Sequence, residues 1–464
     1  MNWDLQTIVQ LTAGRLAPAA ARATVSGISS DSRTVREGEL FVPLRGANFD
    51  GHDFLSQAVR QGAVACLSEE LVAGLPVPVI MVEDTLRALG DLAAGRRREF
   101  TVPVVGVTGS SGKTTTKEML AAILSQTSTG LKTEGNFNNL IGLPQTLFRL
   151  DAGHQWAVLE MGMSARGEIA RLAEIAVPDI GIITNVGEAH LESLHGLDGV
   201  ARAKGELYVT LRPGATAVIN ADDERVVRLP VANGVRRLFY GLGREAQVRG
   251  ESIMVGGDSV GFELCLPEGR WPLRLQVTGR HNVHNALAAA AAASVMGVPG
   301  AIIAQGLEAF RTIAGRMEAL QLDSGVTLLA DTYNANPSSV KAALLALDEM
   351  GGSGARVAVL GDMLELGAQA AALHREVGAE VAKRVDLLIA LGSLAGVVAE
   401  GARQAGLPEA QIRIVPSHEE AVVVLQELLR PGDRVLVKGS RGMRMERICG
   451  ALRGAESRQT AGHH

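Results

Sequence analysis

An α/β protein of about three domains is what this sequence predicts, and three observations predict it. At 464 residues the chain is longer than one ordinary domain. Short apolar runs recur, each followed by a stretch of helical period, the alternation that builds parallel sheets with helices on both faces. Aromatic residues are only 3% of the chain while hydrophobic residues reach 47%, so the core must be assembled from Ala, Val, Leu and Ile, which suits buried parallel strands.

Residues 1–98 combine short strands, such as Leu40–Leu44, with a helix near 53–62, and close on a charged helix ending at Arg98. They read as a small α/β amino-terminal domain. From Val102 the pattern changes to apolar strands each followed by a helix: Val104–Val107, Trp156–Glu160, Ile180–Thr184 and Ala217–Asn220. Residues 99–316 therefore read as a central doubly wound domain, with 230–278 as a β-rich insertion and a long helix from Asn282. A second strand and helix series, Val326–Ala330, Val357–Leu360, Leu387–Ala390 and Val435–Val437, makes 317–455 a Rossmann-like α/β carboxyl-terminal domain. Residues 456–464, with His463 and His464, read as a flexible tail.

The first strand of the central domain runs into Gly109-Ser110-Ser111-Gly112-Lys113-Thr114-Thr115. Glycines let successive backbone N–H groups face phosphate oxygens, Lys113 adds a cation, and the Thr114 hydroxyl suits the shell of a phosphate-bound Mg²⁺. ATP is the ligand this loop predicts. The spacing departs from the standard P-loop, which wants glycine at 107, where this chain has Val107 and carries Gly106 one residue early.

Other polar groups fall at strand ends, where open α/β sheets hold ligands. Glu160 ends one strand and suits Mg²⁺, or is a solvated strand-end acid. His190 follows the next strand, as a ligand or a satisfied structural histidine. Lys204 lies in an apolar helical stretch, where a lysine commonly snorkels to the surface. An ammonium cannot ligate a cation, so Lys204 joins a metal shell only if CO₂ converts its amine to a carbamate. Asn136, Asn138 and Asn139 crowd one loop, more amides than a turn requires. Asp331, Tyr333, Asn334 and Asn336 follow an apolar strand, as a capping loop or as a site facing the nucleotide.

Composition excludes several classes. A formal net charge of -5 without a basic block argues against nucleic acid. No apolar run is long enough to span a bilayer, and the amino terminus lacks a signal-peptide pattern, which predicts a cytoplasmic protein. Three dispersed cysteines, Cys66, Cys265 and Cys449, predict buried thiols rather than disulfides. No heptad or surface stripe suggests self-association, so a monomer is expected.

Taken together, Gly109–Thr114, Asn136–Asn139, Gly187–His190, Tyr333–Pro337, Gly361–Gly367 and Lys438–Arg441 resemble the Mur ligase family, ATP-dependent amide-forming enzymes of cell-wall synthesis. The resemblance covers nearly the whole chain. Within the family these stretches are similar to those of members that join D-alanyl-D-alanine to UDP-N-acetylmuramoyl-tripeptide. The resemblance implies an amino-terminal domain holding the UDP-substrate through Ser30, Asp31, Ser32, Arg33, Asp50 and His52, a central ATPase, and a carboxyl-terminal domain for the incoming amine. It places Lys204 where members carry a carbamylated lysine, beside Glu160 and His190 as Mg²⁺ ligands. It makes Asn282, Asn285, Arg316 and Asp331 contacts to adenosine and phosphate, and it makes Lys113, Lys204, Glu160 and His190 the catalytic set. It also implies an acyl phosphate intermediate.

Overall fold

The computed structural model describes residues 1–17, 21–46 and 48–460, with side chains through residue 454. The chain forms two compact units. One holds residues 1–106, 129–163 and 168–179; the other holds 107–128, 164–167 and 180–464.

In the first unit a five-stranded sheet runs in the order Arg15–Ala17, Val79–Met81, Ala65–Ser68, Glu39–Phe41, Gly27–Ser29. The first pair is antiparallel and the rest are parallel. The helix Thr85–Arg98 starts on an Asp84 cap and buries Ala88, Leu89 and Leu92 in a core with Trp3, Leu40 and Ile80. Its basic end is not the solvated terminus its charge predicts. Arg96 and Arg97 are buried, and their guanidiniums hold the carbonyls of Leu150, Ala176, Phe100 and Val102. Such charge-assisted bonds offset the desolvation of the two cations and tie this helix to later segments of the same unit. The strands Leu131–Lys132 and Ala157–Glu160 pair in parallel there too.

In the second unit the strands Ile180–Ile183, Thr216–Asn220 and Arg236–Gly241 lie side by side in parallel. The region 230–278 is not an insertion but a continuation of this sheet. Arg236–Gly241 pairs in parallel with Val248–Val255, and Val260–Leu266 and Gly269–Leu275 then add in antiparallel fashion. The helix His281–Val295 is buried along Ala286–Ala293 against the helix Lys113–Leu124, an approach that alanine permits because it carries no bulk beyond Cβ. Gly306 does the same from Gly300–Ala309, where a Cβ would lie 2.4 Å from Ile123 Cα.

A second sheet in this unit runs Glu318–Gln321, Thr327–Asp331, Arg434–Lys438, Arg356–Leu360, Leu387–Leu391, Ile412–Val415, all parallel except the first pair. That is the Rossmann-like layer expected of the carboxyl-terminal part. The last helix, Glu446–Thr460, carries the backbone through the start of the tail predicted from 456, while His463 and His464 lie outside the described residues. All three cysteines are buried, and burial pushes the Cys66 and Cys449 thiols up to about 12. Among the described residues no helix is long and apolar enough to cross a membrane.

Candidate active site

The phosphate loop of the second unit is built by two strand ends. The strand Val104–Thr108 ends at Gly109, whose φ of 151° is open to glycine alone: a Cβ there would sit 1.8 Å from Thr184 Oγ1. Gly112, at φ 79°, begins the helix Lys113–Leu124, and its Cβ would meet Asn285 Oδ1 at 2.3 Å. The segment just past the neighbouring strand Ile180–Ile183 supplies a buttress. Thr184 Oγ1 donates to Ser111 O at 2.6 Å, Asn185 Oδ1 accepts from Ser111 N at 3.0 Å, and Ser110 Oγ exchanges hydrogen bonds with the Gly187 backbone. Ser110 N donates to Asn185 O. The Ser110 and Ser111 N–H groups are thus engaged by Asn185, so the loop's anion-binding capacity concentrates at the helix start, where the first N–H groups have no partner within the helix and the dipole is positive. Lys113 Nζ lies 2.7 Å from Gly109 O, arched over its own loop. Thr114 is buried and Thr115 half-buried on the first turn.

Asn282 and Asn285 form a buried chain behind that turn. Thr116 Oγ1 donates to Asn285 Oδ1, Asn285 Nδ2 to Asn282 Oδ1, and Asn282 Nδ2 to Thr278 O. These bonds fix the helix His281–Val295 against the phosphate loop.

Lys204 is 2% exposed, on the helix Leu197–Thr210, and not a snorkelling surface lysine. Among the described residues it has no hydrogen-bond or ion-pair partner. Burial, and secondarily the Lys113 ammonium, hold its amine well below the ordinary lysine value of 10.5. One turn on, Tyr208 donates to Val218 O at 2.6 Å and accepts from Ile183 N, locking this helix to the sheet. His190 stands at the start of a short helix, Leu191–Leu194, with φ 56°, and its Nδ1 meets Glu365 Oε2 at 2.6 Å.

The carboxyl-terminal sheet presents three loops to this region. Asn336 caps the helix Pro337–Glu349 through a capping box with Ser339, and its Nδ2 reaches Ser110 O at 3.5 Å. The same residue thus caps its helix and touches the Gly109–Thr114 loop. Ser338 Oγ donates to Glu188, Asn334 Oδ1 accepts from Ala335 N, and Asp331 pairs with buried Lys438 at 2.5 Å. Arg316 stacks on the Tyr333 ring at 3.9 Å, with Arg441 at 5.6 Å. Sequence reasoning missed Lys438 as the partner of Asp331, although it ends the neighbouring strand in direct register with it.

In the first unit, Glu160 is buried at its strand end, with its N–H on Thr133 Oγ1 and its carboxylate accepting from Asn138 Nδ2 at 2.9 Å. Asn139 Oδ1 accepts from Ile141 N and Gly142 N, a turn role, while Asn136 is exposed. Arg33 holds Asp31 in a two-point pair and lowers its carboxyl to about 2. Beside them Ser32 is buried, and Ser30 Oγ accepts from Gln145, a link the sequence did not reveal. His52 is occupied at both ring nitrogens, Nδ1 against Asp50 and Nε2 accepting from Glu69 N, so it shapes its loop.

Family models agree on what this arrangement is. The Mur ligase middle domain matches residues 107–293, the Mur ligase glutamate ligase domain matches 315–441, and the Mur ligase family catalytic domain matches 24–97. A UDP-N-acetylmuramoyl-tripeptide--D-alanyl-D-alanine ligase of Bacillus subtilis is 36% identical over 448 residues, 96% of this chain and 97% of its own. The chain belongs to the Mur ligase family. A MurF crystal structure from Acinetobacter baumannii matches this Mur ligase with a TM-score of 0.91 at 34% identity, covering 98% of this chain and 99% of that one. A MurF ligase of Thermotoga maritima, in complex with ADP, matches at a TM-score of 0.84 and 30% identity over 93% and 98%. This Mur ligase is accordingly an ATP-dependent ligase.

Proposed function

We propose that this Mur ligase joins D-alanyl-D-alanine to UDP-N-acetylmuramoyl-tripeptide at the expense of ATP, making the UDP-linked pentapeptide of peptidoglycan synthesis. The γ-phosphoryl group passes to the tripeptide's terminal carboxylate and ADP leaves. The dipeptide amine then attacks the acyl carbon of the resulting acyl phosphate, the C–O bond to phosphate breaks, and the amine loses a proton. The phosphate loop and Lys113 hold the transferring group, an electrostatic task. Residues 1–98 serve the UDP-substrate, 99–316 the nucleotide and 317–455 the amine.

Mg²⁺ fits this donor set. Thr114 and His190 of the second unit would supply two donors, and Lys204 of the same unit a third once carbamylated. When bound, the ion neutralises phosphate charge. Burial, which disfavours the ammonium, favours the nucleophile that CO₂ requires: the N–C bond forms as one C=O π bond of CO₂ opens onto its oxygen, one proton leaves, and the amine becomes a carbamate with ligand oxygens. Asn282, Asn285, Arg316 and Asp331 are assigned to the nucleotide. Asp31, Ser32, Arg33, Asp50, His52, Asn136, Asn138 and Asn139 are assigned to the UDP-substrate side, with Asp50, His52 and Asn139 acting by shaping loops. Tyr333, Asn334 and Asn336 are assigned to the amine side.

The observation that supports this reading is the seating of the carboxyl-terminal loops on the phosphate loop, Asn336 on Ser110 and Ser338 on Glu188, which sets the edge of the carboxyl-terminal sheet against the loop. The test is phosphate release from Mg-ATP with UDP-N-acetylmuramoyl-tripeptide, with and without D-alanyl-D-alanine, recording product mass. Release that needs both and yields the pentapeptide supports the reading. Release indifferent to the dipeptide refutes it.

A further inference from the structure

We infer that Glu365 is a positioning residue for His190: its carboxylate accepts a hydrogen bond from Nδ1–H, which fixes the ring and its tautomer and leaves the Nε2 lone pair to be offered to a divalent cation. This rests on the reading of His190 as a metal ligand.

The geometry begins with the 2.6 Å contact between His190 Nδ1 and Glu365 Oε2. The two residues lie on different sheets' loops, His190 after the strand Ile180–Ile183 and Glu365 after the strand Arg356–Leu360. Both adopt the left-handed conformation, His190 at φ 56° and Glu365 at φ 64°. A non-glycine residue there is uncommon and persists where its surroundings dictate it. Here the surroundings do so. Glu192 N, two residues past His190, donates to Glu365 O, and a Cβ on Gly367, at φ 56°, would lie 3.1 Å from Glu192 Cβ.

The loop carrying Glu365 is clamped just before that residue. Asp362 accepts from Ser393 N, Ser393 Oγ and Leu394 N; Met363 N donates to His374 Nε2; Leu364 N donates to Ser440 Oγ. A carboxylate on so fixed a backbone can hold an imidazole at one angle, although the Glu365 side chain itself is 65% exposed. A neutral imidazole has one N–H. Once Nδ1–H donates to Glu365, Nε2 is the acceptor, the form a cation takes. Carboxylate partners of ligating histidines are worth about 10–100-fold in metal affinity.

The test is Mn²⁺ binding, as a paramagnetic probe for Mg²⁺, to the full-length protein saturated with ADP. The wild type is compared with Glu365→Gln, Glu365→Ala, His190→Ala and the Glu365→Ala/His190→Ala pair. Glu365→Ala should weaken Mn²⁺ by about 10–100-fold. Glu365→Gln, whose amide oxygen still accepts from Nδ1, should recover most of it, and the pair should bind no worse than His190→Ala. If His190→Ala weakens Mn²⁺ and Glu365→Ala does not, positioning is overturned and the metal reading survives. If His190→Ala binds as the wild type does, both fall. If Glu365→Gln loses as much as Glu365→Ala and both lower the melting temperature, Glu365 is a strut between sheets and the inference is wrong.

Discussion

Replacing Lys204 with methionine should make the protein more stable and nearly inactive. The two side chains are unbranched and similar in volume, so packing around the helix Leu197–Thr210 is kept and the amine alone is lost. The residue is 2% exposed and its amine has no hydrogen-bond or ion-pair partner among the described residues. Burial of such a group costs about 1–3 kcal/mol by protein mutational measures, and methionine does not carry that cost. At about 2–4 °C per kcal/mol for a domain of this size, the variant should melt several degrees higher in CO₂-stripped, Mg²⁺-free buffer. The sign with pH follows from the depressed folded-state value. Between that value and 10.5 the unfolded chain binds the proton that the folded chain refuses, so wild-type stability rises with pH through this window and the variant's advantage shrinks as 10.5 is approached. Bicarbonate with Mg²⁺ should raise the wild-type melting temperature and leave the variant's unchanged. Turnover should fall at least about 100-fold, since the proposed ligand is gone. Differential scanning calorimetry across pH, with phosphate release alongside, reads all of this. A variant less stable than the wild type in CO₂-free buffer would show the amine to be already satisfied, and unimpaired turnover would end the carbamate reading.

Lys113→Ala should abolish phosphoryl transfer while UDP-substrate affinity, measured by calorimetry, stays within about twofold, because the sugar-side residues belong to other segments; retained turnover would refute the phosphate-loop assignment. Gly112→Ala forces φ 79° on alanine, at about 1–2 kcal/mol, and drives a Cβ to 2.3 Å from Asn285 Oδ1, so ATP affinity should drop at least about tenfold in a nucleotide-binding titration. Tyr208→Phe strips the Val218 carbonyl and the Ile183 N–H of a buried partner and should lower stability by about 1–3 kcal/mol in urea unfolding, with a neutral result placing the Lys204 helix elsewhere.

The strands at 104, 157, 180 and 216 were legible because parallel strands buried on both faces read as unbroken apolar runs. Glu318–Gln321 and Ile412–Val415 were not, for the opposite reason: each is a four-residue edge strand whose pattern is interrupted by Glu318, Gln321 or Arg413, and Ile414 faces solvent. The phosphate loop was legible from chemistry, since few structural turns put Lys and two Thr at a helix start. Burial of Lys204 was also written in the sequence. It lies four residues after Val200 and four before Tyr208, on the stripe that Ala203 and Leu207 complete. What the sequence could not carry was the pairing of residues distant along the chain, Asp331 with Lys438 or His190 with Glu365, because register and crossover decide those.

That distinction explains two carboxyl-terminal stretches that carry the family resemblance, 361–367 and 438–441. Their polar groups are largely spent on one another. Asp362 closes the turn at Ser393, Ser440 Oγ bridges Leu364 N and Ala335 O, and Lys438 Nζ joins Asp331 to Asn334 O. A buried network satisfied in this way has few donors left for a ligand, but it makes a rigid platform, and rigidity is what an amide-forming site needs when an amine must approach an acyl carbon within a few tenths of an ångström of the productive geometry. Polar groups still project from the platform and its neighbours: the Asn336 amide toward Ser110, the Arg316 and Arg441 guanidiniums about Tyr333, and Glu365 toward His190.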